Sequence, residues 1–441
     1  MRIVVVGGGC REHILTERLC REGNTVYSVM RNRNPGIERL SSDFSIREET
    51  DVDGTVSFAE GKGIELAVIG PETPLEAGLA DAFTSSGIPC FGPSRDAAEI
   101  EFSKAFTRRL MESYGIPGNP TYAVFDSFDD AAGFLDGCSS DIVVKPSGLT
   151  GGKGVKIVGE QLSDISEAKV YVRELLERKK GSVVLEERLS GEEFSLQAIT
   201  DGKEMLPLPL AQDHKRAFEG DRGPNTGGMG SYSMSDGLLP FLEESDRERA
   251  IYIMQRVLQA LRKENREFRG VLYGGFMLTR DGVRLLEFNA RFADPESLNV
   301  ISVMKGSLTE TLLSSATGHL KRELSFERMA TVCRYFVPVG YGEKPITGTE
   351  ITIDERCIGE KGATLYFGSV NASEGKILTT SSRSFALLAK AEEPWEAAAI
   401  LEKSSVCVGG QIYSRRDIGS REEIERRRQN GIRLHMAPDL G

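Results

Sequence analysis

The chain has 441 residues, 39% apolar and 27% charged, the composition of an ordinary water-soluble globular protein. It is too long for one hydrophobic core, so about three domains are expected. A formal charge of −11 argues against a nucleic-acid surface, and no run reaches the ~18 consecutive apolar residues of a bilayer span. Seven scattered cysteines, never in a Cys-x-x-Cys pair, imply a reducing compartment with neither a disulfide framework nor a zinc site. Four histidines leave little material for clustered imidazole chemistry. The chain enters a strand pattern at once (Arg2-Ile-Val-Val-Val-Gly7), with no signal-peptide layout. A cytoplasmic protein with no membrane and no nucleic-acid partner is expected.

Residues 1–100 alternate strand-like runs (Ile3–Val6, Thr25–Met30, Leu66–Ile69, Pro89–Phe91) with helical spacing over Glu12–Glu22 and Glu76–Ser86. Such alternation predicts a doubly wound parallel sheet. Gly7-Gly8-Gly9 follows the first strand, where backbone N–H groups can cradle a phosphate. It is not a dinucleotide fingerprint, because Glu12 occupies the third glycine position of G-x-G-x-x-G. A merely tight turn is the plain alternative. Gly70-Pro71-Glu72 follows a later strand at the same predicted carboxyl edge, where open α/β sheets bind ligands. Ser103–Tyr114 reads as an amphipathic helix stopped by Gly115-Ile-Pro117. Lys104 lies in its first turn, where the helix dipole disfavours a cation, which suggests another task such as pairing with a phosphate.

Asp141–Val158 places Lys145 on a strand, then a glycine-rich turn with Gly151, Gly152, Lys153 and Gly154, then another strand. Glycines let backbone close over phosphates and the lysines add positive charge. The spacing differs from a P-loop, and a glycine-rich hairpin with an exposed lysine is the plain alternative. Val183–Ile199 is strand, turn, strand, carrying Glu186, Glu187 and Glu193, which could meet a purine edge and a ribose or could belong to an acidic surface hairpin. Gln212–Arg216 and Gly220–Gly230 form a long polar stretch with Asp213 and Lys215, and long aperiodic stretches inside domains are usually functional or disordered. Arg247–Glu264 reads as a helix and Val271–Leu278 as a strand.

Next comes Arg284–Glu296, where Glu287, Asn289, Arg291, Asp294 and Glu296 crowd among apolar residues. Glu287 and Asn289 are two apart, hence on one face of a strand. They offer the hard oxygen donors that Mg²⁺ takes when it also holds phosphates. Arg291 adds a forked donor for phosphate or carboxylate. A half-buried strand with a solvated polar face is the bland alternative. Beyond residue 325 strands are expected at Ala330–Val337, Thr349–Ile353, Thr364–Asn371, Leu378–Thr380 and Ser384–Ala391, with a helix at Pro394–Ser404. The final basic run (Arg415, Arg416, Arg421, Arg426–Arg428) alternates with acids and reads as a solvated, salt-bridged helix face.

Together these stretches resemble the phosphoribosylamine–glycine ligase (glycinamide ribonucleotide synthetase) family of the ATP-grasp superfamily. Gly7-Gly-Gly-Cys-Arg-Glu-His13 is similar to the family's G-x-G-G-R-E-H, and Val144–Val155 to its K-A-D-G-L-A-A-G-K-G-V. Ile69–Leu75, Phe91–Ser94, Ala211–Arg216, Gly223–Gly230, Leu286–Phe292 and Tyr413–Gly419 resemble further signatures. Departures are Cys10 for glycine, Pro146-Ser147 for Ala-Asp, and Ala293 for glycine. The resemblance implies a multidomain α/β and α+β architecture: a substrate-binding doubly wound domain over 1–101, an ATP-grasp domain over 102–324 with a lid at about 118–190, and a mixed β-rich domain over 325–441. It implies ligation of glycine to 5-phosphoribosylamine with ATP as co-substrate and Mg²⁺ or Mn²⁺ as cofactor, by a monomer or weak dimer.

The implied roles follow residue by residue. Lys104, Lys145, Gly151, Gly152, Lys153 and Gly154, with Glu186, Glu187 and Glu193, would hold the nucleotide. Glu287 and Asn289 would hold the metal. Arg291, Asp213 and Lys215 would orient glycine. Gly8, Gly9, Arg11, Glu12, His13, Pro71, Glu72, Asp294 and Glu296 would bind the substrates. Three other readings stay open: a different ATP-grasp ligase, a nicotinamide-dependent oxidoreductase, and a non-catalytic nucleotide sensor.

Overall fold

The computed structural model describes residues 1–138, 141–149, 154–178, 181–321 and 324–436. The first hundred residues form a five-stranded parallel sheet in the spatial order Asp43–Ile46, Thr25–Met30, Arg2–Val6, Leu66–Ile69, Cys90–Phe91. Ile3 to Val6 are wholly buried, as a central parallel strand covered on both faces must be. Chain order reverses around Arg2–Val6, so Gly7 and Gly70 leave neighbouring strands at the switch point where such sheets bind ligands. The strand Asp43–Ile46 carries no sequence signal, since it is a half-buried edge. The helix expected over Glu76–Ser86 is broken into Thr73–Glu76 and Leu79–Ser85, because Gly78 between them takes a left-handed φ of 86°.

Two antiparallel sheets follow. The first runs Tyr122–Phe125, Val183–Glu187, Ile142–Pro146, Lys156–Ile157. With the helices Phe128–Asp136 and Ile165–Arg178 it encloses a hydrophobic cluster of its own, around Leu135, Val144, Val172 and Leu185. The second runs Met205–Pro207, Glu192–Thr200, Gly270–Thr279, Gly282–Asn289. Its edge strand is irregular: Glu287 pairs with Gly275 but Leu285 pairs with Phe276, so Leu286 is the extra residue of a bulge. Val283 and Leu285 are buried on one side of it and Phe288 on the other. Strict alternation would have sent Glu287 into the core with Leu285; the bulge turns it, and Asn289, toward the cleft.

A six-stranded sheet joins Gln212–Asp213 and Gly230–Ser233 to Ala330–Pro338, Phe385–Ala391 and Thr364–Phe367, with Ile412–Tyr413 pairing on Ala330–Pro338. Segments on both sides of residue 325 thus share one sheet. The polar stretch 212–230 is therefore partly ladder, including a hairpin of Arg216–Phe218 with Arg222–Asn225. The strand expected over Thr364–Asn371 is two, Thr364–Phe367 and Val370–Ser373, parted at Gly368. A side chain at Gly368 would lie 2.7 Å from the Arg383 carbonyl oxygen and 3.0 Å from Cys10 Sγ.

Two expectations are overturned. Cys357 and Cys407 form a disulfide; no Cys-x-x-Cys pattern announces it, because the two meet only through the packing of the C-terminal elements. The basic run is salt-bridged but not all solvated. Arg415 is fully buried between Asp221 and Asp417, and Arg427, on the helix Arg421–His435, reaches the buried Glu192 and the half-buried Asp221. No helix among the described residues is long and apolar enough to cross a membrane.

Candidate functional site

A cleft of about 860 Å³ opens between the parallel sheet, the two antiparallel sheets and the C-terminal segment. At one end stand the turns after the parallel strands. Glu12 folds back so that its Oε2 accepts the Gly9 N–H at 2.7 Å, capping the helix Cys10–Arg21. It fills the space a third glycine would leave, and a Cβ on Gly70 would lie 1.9 Å from its Oε1. Arg11 pairs with Glu12 and donates to the Phe292 carbonyl at 2.9 Å. Gly8, Gly9, Arg11, Glu12, Pro71 and Glu72 all line the cleft.

His13 does not join them. It is buried, stacked on Phe367 and edge-on to Tyr366, and its Nδ1 accepts the Phe367 N–H at 2.9 Å. Burial, with Arg39 nearby, pushes its pKa down to about 3. It joins the first helix to the C-terminal sheet.

At the other end Lys145 and Lys104 face Glu287. Lys145 Nζ lies 2.6 Å from Glu186 Oε2 and 3.3 Å from the Leu286 carbonyl. Burial lowers the Lys145 pKa in spite of Glu186. Ser147, one of the departures, accepts the Ala105 N–H at 3.1 Å and so satisfies a first-turn donor of the helix Lys104–Ser113. Glu186 and Glu187 line the cleft but are held by cations, Glu187 by Arg284, and Glu187 Oε1 also accepts the Thr121 N–H at 2.7 Å. Gly154 offers its carbonyl to Tyr171 Oη at 2.8 Å. Gly151, Gly152 and Lys153 lie outside the described residues.

Between the two ends stand Lys215, Glu193, Glu287, Asn289, Asp213, Glu296 and Arg291. Lys215 Nζ is 3.2 Å from Glu193 and 3.9 Å from Glu287. Burial opposes the ionised Glu287, yet Lys215, Lys104 and Lys145 hold its pKa below the ordinary value. Burial raises Asp213 well above the usual range, with Glu296 adding to it. Asp213 Oδ1 is buried with no hydrogen-bond partner among the described residues, so it is available to a donor in the cleft. Burial also raises Glu296, which Tyr273 contacts. Arg291 sits between Glu72 (3.2 Å) and Glu101 (3.1 Å). Asp294 receives Tyr335 Oη and Arg383, whose Nη2 is 2.9 Å from Oδ2.

Among the described residues no three His, Cys, Asp or Glu side chains gather as a metal cage. Glu287 and Asn289 put two hard oxygen donors in one cleft, a set that suits an ion completing its shell with phosphate oxygens and water, as Mg²⁺ does. An ionised carboxylate amid lysines fits that use.

Sequence reasoning missed Glu101, Arg108, Tyr273 and Arg383. Each acts on a motif residue far away in the chain, so no spacing betrays it. The departures are absorbed locally: Cys10 Sγ donates to the Tyr366 carbonyl at 3.1 Å, and the Ala293 N–H donates to Gln197 Oε1 at 2.8 Å.

A lysine-bearing antiparallel flap facing a second antiparallel sheet, with Glu-x-Asn on its edge strand and a parallel α/β domain alongside, defines an ATP-grasp protein. Comparison narrows the class. The family model for the phosphoribosylglycinamide synthetase N domain matches residues 1–101, and that for its ATP-grasp (A) domain matches 102–297. The phosphoribosylamine–glycine ligase of Methanothermobacter thermautotrophicus is 50% identical over 430 residues, 97% of this chain and 98% of that protein. The crystal structure of phosphoribosylamine–glycine ligase from Thermotoga maritima superposes with a TM-score of 0.81 at 28% identity, covering 95% of this chain and 100% of that one. The biotin carboxylase domain of a Hydrogenobacter thermophilus 2-oxoglutarate carboxylase, solved with MgADP, shares the fold alone: TM-score 0.71 at 15% identity, covering 94% and 91%. This chain belongs to the phosphoribosylglycinamide synthetase family.

Proposed function

We propose that this protein joins glycine to 5-phosphoribosylamine, converting ATP to ADP and phosphate and releasing glycinamide ribonucleotide, in purine synthesis. The observation that carries the reading is one cleft lined by the glycine turn at Gly8–Glu12, a lysine-flanked carboxylate at Glu287, and Arg291 between them.

Phosphoryl transfer needs positioning and charge neutralisation more than covalent help. Lys104 and Lys145 hold the nucleotide phosphates, and Glu193 meets the ribose. Glu186 and Glu187 border the base, Glu186 doing so as the counter-ion of Lys145. Mg²⁺, or Mn²⁺ in its place, held by Glu287 and Asn289, neutralises phosphate charge when bound. Asp213 and Glu296 receive glycine's ammonium, while Arg291 and Lys215 orient its carboxylate.

A carboxylate oxygen attacks the γ-phosphorus and the bond to ADP breaks, giving glycyl phosphate. The substrate amine then attacks the acyl carbon, loses a proton, and phosphate leaves. Because water hydrolyses an acyl phosphate, the lysine-bearing flap closes before chemistry. Arg11, Glu12, Glu72 and Asp294, with Gly8, Gly9 and Pro71, hold the phosphoribosylamine. The protein acts in the cytoplasm as a monomer or weak dimer.

Phosphate release from ATP, measured with glycine alone, with phosphoribosylamine alone and with both, tests the reading. Release that requires both is expected; release with neither, or with a different amine, overturns it.

A further inference from the structure

We propose that Glu101 is a positioning residue for the ligation: one carboxylate oxygen anchors the backbone at Ala290 and the other anchors Arg291, so that Arg291 meets glycine as a fixed donor. The proposal rests on Arg291 having the role given above. Glu101 lies in the last turn of the helix Arg95–Phe102, the connector between the parallel sheet and the helix Lys104–Ser113. Its side chain is only 5% exposed. A carboxylate so buried is costly unless paired and hydrogen-bonded; one short segment supplies both partners, and burial still raises the Glu101 pKa to about 7. Oε2 accepts the Ala290 N–H at 2.6 Å, and Oε1 lies 3.1 Å from Arg291 Nη2.

The pairing answers a local problem. The ladder of the edge strand ends at Asn289, so the next N–H has no strand partner and would otherwise be a buried orphan. Glu101 supplies the acceptor and fixes where the chain turns out of the sheet, one residue beyond Asn289 and one before Arg291. Glu72, from the parallel-sheet domain, takes Arg291 Nε at 3.2 Å, and the Phe292 carbonyl takes Nη1 at 3.3 Å. Two of the guanidinium's five N–H groups are thus hydrogen-bonded, and Nη2 is ion-paired with Glu101, which holds the group at the cleft that Arg291 lines. An unclamped arginine would have to give up its rotamer freedom on binding substrate; this one has already done so.

Glu101→Gln is nearly isosteric. Its amide oxygen can still accept the Ala290 N–H, but the negative partner of Arg291 is gone. In the full chain we expect a melting temperature within a few degrees of wild type and an ATP KM within about twofold. Glycine kcat/KM should fall about 10- to 100-fold, the scale of a misplaced substrate-orienting group.

Arg291→Ala and the double variant close a cycle. If Glu101 acts through Arg291, the double variant is no worse than Arg291→Ala within about threefold. Losses that multiply, a Glu101→Gln variant with wild-type glycine kinetics, or an equal loss in ATP KM would each overturn the proposal. An Arg291→Ala variant with unchanged glycine kcat/KM would instead remove Arg291 from the glycine site, and the purpose of the clamp with it.

Discussion

Arg108 and Glu186 form a two-pronged ion pair, Nε to Oε1 at 2.7 Å and Nη2 to Oε2 at 2.9 Å, with each side chain 3% exposed. Lys145 approaches the same carboxylate at 2.6 Å. The helix Lys104–Ser113 and the flap strands Val183–Glu187 and Ile142–Pro146 are therefore tied through one anion, which also sets where Lys145 can reach. Breaking a buried pair of this kind is strongly destabilising, because the partner charges stay behind.

This anion gives stability a pH dependence. Against burial, Lys145 and Arg108 hold Glu186 at about 2, below its ordinary 4.5. Its contribution is complete above pH 4.5 and lost as pH falls toward 2. His13 and His214 are both pushed by burial to about 3 from 6.5. The unfolded chain takes up those protons and the folded one does not, so the two histidines destabilise the fold as pH falls below 6.5, while Glu49 and Glu101, raised by burial to about 7 from 4.5, act in the opposite sense between pH 7 and 4.5. The urea midpoint should therefore fall mainly below about pH 4.5, where the histidines and Glu186 act together; a midpoint flat from about pH 4.5 to 2.5 would contradict both assignments.

Glu287→Ala should fold, since the side chain points into the cleft rather than the core. It should lose ATP-dependent ligation by about 10²-fold or more at millimolar Mg²⁺, the order seen when a group that stabilises developing charge is removed. Steady-state turnover checks this, and retained wild-type turnover would take the metal away from this position.

Gly70→Ala places a Cβ 1.9 Å from Glu12 Oε1. Either Glu12 leaves its cap on Gly9 or the strand end shifts, at about 1–3 kcal/mol. A lower melting temperature with a raised KM for phosphoribosylamine and an unaltered KM for ATP is expected. If the ATP term moved alone, the turn would not belong to the sugar-phosphate end.

The disulfide closes a segment with a sequence separation of 50. Chain entropy alone predicts about 4 kcal/mol for a loop of that size, an upper figure. Cys357→Ser with Cys407→Ser should lower the melting temperature by several degrees, and reductant should do the same to wild type but nothing further to the variant. Identical melting of both proteins with and without reductant would show that the bridge does not form.

Much of this molecule is written locally. The alternation of apolar runs, the glycine turn after the first strand, Lys145 and the Glu287–Asn289 spacing all act within a few residues, and local spacing is what a sequence displays. His13 was misplaced for the converse reason. It sits inside a binding motif, yet its ring turns away to accept the N–H of Phe367, a partner no local pattern names. Glu101, Arg383 and Tyr335 went unnoticed because each supports a motif residue from a remote element.

By itself the amino-acid sequence determined the parallel sheet, the antiparallel strands after it and the chemical inventory of the cleft, because periodicity and residue type decide those. Tertiary structure alone decided which way that inventory faces. One extra residue, Leu286 opposite the Gly275–Phe276 step, turns a carboxylate that plain alternation would have buried toward the lysines. That choice depends on which strand lies alongside, and on the packing of Val283, Leu285 and Phe288 beneath it.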